Sequence, residues 1–149
     1  MIPLLTWLSP EAQRIGAVNT IWFKDDERIG FNTDAVGFAE AVRDELAGAS
    51  LKSVVQVGAG GGGSATAFAL LGIGTRRLTL FDASPGRAVA LAARLGYEFE
   101  GREIVAGAAQ DLAAAVRVAD GIVNATPLGM AKSPGIAVPP SLIEPRHWV

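Results

Sequence analysis

The tightest constraint in this 149-residue sequence is the run Gly58-Ala59-Gly60-Gly61-Gly62-Gly63. It stands between a short β-branched segment, Ser53-Val54-Val55-Gln56-Val57, and an alanine-rich helical segment, Ala65 to Leu71, closed by Gly72. Glycine loses more conformational freedom on folding than any other residue, so such a run holds one shape only between rigid flanks. A strand that turns into a helix supplies them, and Gly58, Gly60 and Gly63 fall into the spacing G-x-G-x-x-G. Each glycine then has a separate reason: Gly58 permits the tight turn, Gly60 clears a path for a diphosphate, and Gly63 lets helix and strand lie close. The helix N-terminus adds unpaired amides and a partial positive charge. No Lys-Ser or Lys-Thr follows the glycines, which argues against the other common phosphate loop.

Beyond the glycines the chain alternates regularly. Arg77 to Asp82 reads as a strand, Pro85 to Leu95 as a helix ending at Gly96, and Glu103 to Ala106 as a weaker strand. A helix from Asp111 to Val118 and a strand from Gly121 to Thr126 follow, and His147-Trp148-Val149 reads as the start of another strand. This order implies an α/β fold with a doubly wound parallel sheet, a Rossmann-type nucleotide-binding domain over residues 50–149, incomplete at its C-terminus. The first third differs. Thr20 to Lys24 and Arg28 to Phe31 predict a hairpin around Asp25-Asp26-Glu27. Thr33 or Asp34 then caps a helix with Val36, Phe38, Ala39, Val42 and Leu46 on its apolar face, and Gly48-Ala49-Ser50 marks the boundary.

Composition narrows the chemistry. Half of the residues are hydrophobic and 19% charged, enough for a sizeable core, and the net charge of −2 offers no basic footprint for nucleic acid or an anionic membrane. The absence of cysteine excludes a disulfide scaffold and thiol catalysis and fits a cytoplasmic location. His147 is the only histidine, so neither a Ser-His-Asp hydrolase nor a metal site is expected; it reads as structural. Residues 1–10 lack the basic start and small-residue cleavage site of a secretion signal. Trp7 and Trp22 read as core or interface aromatics, and Arg76 and Arg77 as a solvated strand edge.

Asp82 closes the second strand of the alternating part, 24 residues beyond Gly58. A carboxylate there accepts hydrogen bonds from adenosine ribose hydroxyls and repels a 2′-phosphate, or, as a strand-end acid, caps the Ser84-Pro85 turn. Ala83 follows where a guanidinium would favour the phosphorylated cofactor, and Arg87 lies on the next helix, within reach of the adenosine side. The expected cofactor is NAD in preference to NADP. Upstream, Asn19 and Asp34 each sit in a small polar motif, Gly16-Ala17-Val18-Asn19-Thr20 and Gly30-Phe31-Asn32-Thr33-Asp34-Ala35-Val36-Gly37. By chemistry alone the pair suits the vicinal hydroxyls of a polyol, but an Asx turn and a helix cap explain the same residues. Both readings stand at this level.

These motifs in this order, with Asn124-Ala125-Thr126-Pro127-Leu128-Gly129-Met130 after them, resemble the shikimate dehydrogenase family over nearly the whole chain. Asp82-Ala83-Ser84 and His147-Trp148-Val149 resemble most its NAD-preferring quinate/shikimate branch; typical shikimate dehydrogenases carry an Asn-Arg-Thr cluster in place of Asp82-Ala83-Ser84. The resemblance implies hydride transfer between a nicotinamide and a ring hydroxyl or ketone of shikimate or quinate. It makes Asn19 a substrate-binding amide and Asp34 the aspartate of a catalytic Lys-Asp pair. It assigns the 58–63 loop to the diphosphate, and Asn124, Ala125, Thr126 and Met130 to the cofactor side of the cleft. Residues 1–49 become the C-terminal part of an α/β substrate-binding domain with its hinge helix.

The family's lysine lies in a V-P-x-K-like motif just before a segment resembling Ile2-Pro3-Leu4-Leu5, and none of Lys24, Lys52 and Lys132 matches it. The expectation is therefore a truncated two-domain enzyme of impaired activity. The alternative is a catalytically silent nucleotide-binding module acting as a sensor or assembly partner. Uncovered apolar surface near Ile21, Trp22 and Phe23 is expected to favour self-association.

Overall fold

The computed structural model describes residues 2–149; Met1, where the segment read above for a secretion signal begins, lies outside them. Two sheets organise the chain. The smaller is built from β1 (Trp7–Leu8), β2 (Thr20–Lys24) and β3 (Glu27–Phe31) in the order β1-β3-β2, with β1 parallel and β2 antiparallel to β3. The β2–β3 turn is tighter than the sequence suggests. Asp25 takes a left-handed φ of 51°, which brings Glu27 into the ladder opposite Lys24. Helix α1 (Pro10–Ile15) lies between β1 and β2; Ser9 caps it through its side chain to the Ala12 amide at 3.1 Å, and Gly16 ends it in the left-handed conformation.

Helix α2 (Asp34–Glu45) follows the hairpin and buries Ala35, Ala39 and Val42. Two expectations need correction. Val36 is 55% exposed, because the helix turns its alanine stripe and not Val36 to its neighbour α3. Neither Thr33 nor Asp34 caps α2 through its side chain; the Asn32 carboxamide oxygen accepts from the Ala35 amide at 3.3 Å instead.

The larger sheet holds β4 (Ser53–Val57), β5 (Arg77–Phe81), β6 (Glu103–Ala106) and β7 (Gly121–Asn124), all parallel, in the order β6-β5-β4-β7. This is the Rossmann-type arrangement, with the strand order reversing between β4 and β7. Val54 packs with Leu70, Leu78, Leu80, Leu91 and Leu95 on one face, while Val55 packs with Val116, Ala119, Ile122 and Val138 on the other. Burial on both faces is why β4 reads as a continuous apolar run.

The helices are α3 (Gly61–Gly72), α4 (Pro85–Glu98) and α5 (Leu112–Val118). Helix α3 starts four residues before the expected Ala65, since three glycines adopt helical geometry in its first turn. Helix α4 passes through Gly96, which has open space around it, and ends at Glu98. Ala109–Asp111 form a separate 3₁₀ turn ahead of α5. The C-terminal residues make no further strand: Trp148 forms one parallel bridge to Gly121, and its indole N–H donates to Ser50 O at 2.9 Å. Among the described residues no helix is long and apolar enough to cross a membrane.

Candidate functional site

The carboxyl ends of β4 and β7 meet where the strand order reverses, and the glycine run lies over that crevice. Gly58 has φ 109°, and a Cβ there would lie 2.5 Å from Ala125 O. A Cβ at Gly63 would strike the Gly58 carbonyl oxygen. Both positions therefore demand glycine for the chain's own packing. Gly60 and Gly62 are different, with nothing within 4 Å of an added Cβ, and at Gly61 only the Ala17 methyl approaches, at 3.8 Å. The space above the first turn of α3 is open, and the backbone beneath it carries no side chain.

Gln56 supports this loop from inside the sheet. Fully buried, it donates through Nε2 to Gly58 O and to Gly63 O, both at 2.8 Å, and its Oε1 accepts from Thr66 Oγ1 at 2.9 Å. On the other side stands Asp82, one residue past β5. Its Oδ2 accepts from the Ala59 amide and its Oδ1 from the Ser84 amide, each at 2.8 Å. Partial burial pushes this carboxyl up, but the two amides and the nearby Arg87 guanidinium outweigh that and hold it below the ordinary aspartate range. Asp82 is thus a carboxylate already gripping the glycine loop. Ala83 and Arg87 are exposed beside it.

Asn124 and Thr126 build a tight turn at the end of β7. The Asn124 Oδ1 accepts from the Thr126 amide (3.0 Å) and hydroxyl (2.6 Å), its Nδ2 donates to Leu128 O at 3.1 Å, and Thr126 Oγ1 accepts from the Leu128 amide at 3.1 Å. Their side chains are occupied in shaping the loop, and Met130 is carried outward by it, 64% exposed. Ala125 lies against Gly58 and donates its amide to Val57 O at 2.8 Å.

On the smaller sheet, Asn19 and Thr33 form a linked pair. Asn19 Nδ2 donates to Thr33 Oγ1 at 3.0 Å, and Asn19 Oδ1 accepts from the Thr33 amide at 3.1 Å and from Thr20 Oγ1 at 3.0 Å. Asn32 ties in below, donating to Ala17 O at 3.2 Å. Asn19 and Asp34 are exposed, and Asp34 begins α2 one residue after Thr33. The local hydrogen-bonding reading is therefore realised for Asn19 and Asn32, while Asp34 projects from the start of a helix, its carboxylate at the positive end of the dipole.

The two parts are pinned together at α4. Arg94 donates to Ser64 Oγ at 3.0 Å and rests in the space a Cβ at Gly16 would need, with its Nε buried and unpartnered among the described residues. One turn later Glu98 pairs with Arg14 at 2.7 Å, and the Arg14 guanidinium lies 5.0 Å from the Phe68 ring centre. His147 has a local role, its Nδ1 accepting from the Glu144 amide at 2.9 Å. Sequence reasoning passed over Gln56 and Arg94. The available signals were a carboxamide inside a run of valines and an arginine close to the apolar stripe of α4.

No protein-family model matches the chain. It is 47% identical over 142 residues to a shikimate dehydrogenase (NADP(+)) of Pseudarthrobacter chlorophenolicus, covering 95% of this chain and 48% of the relative. It is 44% identical to a quinate/shikimate dehydrogenase (NAD(+)) of Corynebacterium efficiens, covering the whole chain and 53% of the relative. Among solved structures, the quinate dehydrogenase from Corynebacterium glutamicum in complex with NAD superimposes with a TM-score of 0.86 at 42% identity, over 99% of this chain and 52% of that one. The chain spans about half the length of the curated relatives it matches.

Proposed function

Since the chain is homologous along its length to one half of enzymes of the shikimate dehydrogenase family, we propose that it is the nucleotide-binding part, with a share of the substrate site, of an oxidoreductase that interconverts shikimate or quinate and the 3-dehydro form. The observation that carries this reading is the open glycine loop, gripped on one side by Asp82 and approached at Gly61 by Ala17, whose carbonyl oxygen accepts from Asn32 next to the Asn19–Thr33 pair. Residues 50–149 hold the dinucleotide and residues 1–49 contribute to the substrate side, with α2 as the hinge helix between them. The group fits the residues present, because Gly60 to Gly62 leave room for a diphosphate and Asp82 offers a carboxylate to a ribose.

A dinucleotide held there would supply the hydride donor or acceptor. The chain's own residues have separate tasks. The loop amides and the α3 N-terminus bind the diphosphate, while Asp82 binds the ribose and disfavours a 2′-phosphate, so NAD is preferred to NADP. Asn19 binds ring hydroxyls, and Asp34, the aspartate of the Lys-Asp pair, stands close to the hydroxyl that is oxidised. The turn built by Asn124, Ala125 and Thr126, with Met130 beyond it, borders the nicotinamide side. None of the three lysines stands in the motif expected to pair with Asp34, so this chain by itself is expected to bind NAD and turn over shikimate or quinate slowly or not at all.

Calorimetric titration of the chain and of Asp82→Ala with NAD and NADP tests the reading. NAD binding that exceeds NADP binding, and that falls in Asp82→Ala, supports it. Equal NAD affinity in both proteins overturns the ribose assignment, and binding of neither cofactor overturns the nucleotide reading as a whole.

A further inference from the structure

We infer that Gln56 is a positioning residue, one that sets the conformation of the glycine loop and, through the Gly58–Ala59 peptide, the place of the Asp82 carboxylate. The inference rests on the dinucleotide reading above and concerns a residue outside the glycine motif. Gln56 is wholly buried in the middle of β4, where the flanking positions are valine. Its amide has one possible orientation. Two carbonyl oxygens face one end, and only Nε2 can donate to them; the Thr66 hydroxyl faces the other end and donates to Oε1.

The two carbonyls are the first and last of the loop. In a planar trans peptide the C=O and the following N–H point in opposite directions. With Gly58 O held inward by Gln56, the Ala59 N–H is turned outward, and there it meets Asp82 Oδ2 at 2.8 Å. One peptide is therefore clamped at both ends, by a buried amide and by the ribose-binding candidate. The Gly63–Ser64 peptide is clamped likewise, its oxygen by Gln56 and its N–H by Gly60 O at 2.8 Å.

No side chain of the loop can do this work, since nothing in residues 58–63 is larger than a methyl group. An apolar residue at 56 would fill the space but leave two interior carbonyls without this donor, and the peptide free to rotate. Hydrogen bonds in series also polarise one another, so the Gln56 contact strengthens the grip of Ala59 on Asp82. The loop is thereby held in its binding shape before any ligand arrives, which spares the ligand the cost of ordering it.

The test uses the full chain with two substitutions, Gln56→Met, which keeps the volume and removes the donors, and Thr66→Val, which removes the hydroxyl closest to Gln56 Oε1 and also within reach of Gly62 O and Gly63 O. Calorimetry with NAD is combined with NMR of the Ala59 amide and of the Asp82 carboxyl titration. In Gln56→Met, NAD affinity is expected to fall about tenfold or more, the Ala59 amide proton to move upfield and exchange faster, and Asp82 to titrate at higher pH. Thr66→Val is expected to shift the same signals in the same direction by a smaller amount.

A folded Gln56→Met protein with unchanged NAD affinity, an unmoved Ala59 amide and an unmoved Asp82 titration overturns the inference. If Gln56→Met does not fold, unmoved signals in Thr66→Val overturn it. Should the unsubstituted chain bind no dinucleotide, the functional reading falls, while the Ala59 and Asp82 signals still decide whether Gln56 holds the loop.

Discussion

The glycines of the loop divide by what their missing side chains would meet, and each group predicts a different failure. Gly63→Ala forces a Cβ into the Gly58 carbonyl, a backbone atom that cannot swing aside. It should cost about 1–3 kcal/mol of stability as overpacking does, read as a lowered Tm, and weaken NAD binding as well. Gly60→Ala meets nothing in the free protein, so its stability should stay within about 0.5 kcal/mol of the parent, while on the proposed reading NAD affinity falls because the methyl occupies the path assigned to the diphosphate. A Gly60→Ala protein with full affinity would remove the diphosphate from that spot. Asp82 carries a pH dependence whose sign follows from its depressed pKa. Its contribution to stability is fully present above the unfolded aspartate value of about 3.9 and is lost as pH falls through the lower folded value. On the proposed ribose assignment, NAD affinity should be flat near neutrality and fall only as pH drops below the ordinary aspartate range, a dependence absent from Asp82→Asn. The place of Asp82 beside the glycine loop was legible from its distance to Gly58, because that spacing reflects one βα unit. Gln56 was not, because nothing in a strand's alternation says that a buried amide will face two carbonyls.

At the level of elements, α4 joins the two parts through residues one turn apart. The Arg14–Glu98 pair is half-exposed on the arginine side, so Glu98→Gln should cost only about 0.2–1 kcal/mol. Gly16→Ala is the harsher change. It places an alanine at φ +70° and displaces the Arg94 guanidinium that fills the space. The guanidinium is flexible and can yield, so the penalty is chiefly conformational, about 1–2 kcal/mol, measurable by urea titration. A cost near zero would show that the turn relaxes and that Arg94 does not depend on it. The existence and order of the helices and strands were readable from periodicity and punctuation. Their ends were not: three glycines enter α3, Gly96 lies inside α4, and Val36 lies outside the core. For Val36 the reason is packing, since α2 turns Ala35 and Ala39 to α3.

Across the whole molecule, the smaller sheet presents a row of aromatic surface. Trp7, Ile29 and Trp22 are in register across three strands and so share a face, with Phe31 meeting Trp7 edge-on at 6.3 Å. Trp7 and Trp22 are half-exposed, which removes the core half of the core-or-interface expectation; Phe23, 69% exposed, lies on the other face of the same strand. Such a face is expected to promote association. Sedimentation should show a concentration-dependent increase in mass that Trp22→Lys reduces; a strictly monomeric parent protein would contradict this. The doubly wound order was legible from alternation alone, but the pinning of α1 to α4 was not, because it joins residues far apart in sequence.

The indole of Trp148 has a further use. It occupies the volume a side chain at Gly121 would need and ties the chain's end to Ser50, at the junction of the two sheets. Trp7 and Trp22, by contrast, stand half in solvent. The molecule therefore contains its own optical gauge: a soluble quencher should extinguish the red part of the tryptophan emission first and leave a bluer remainder from Trp148. Following that remainder through denaturation would time the opening of the junction separately from the loosening of the aromatic face.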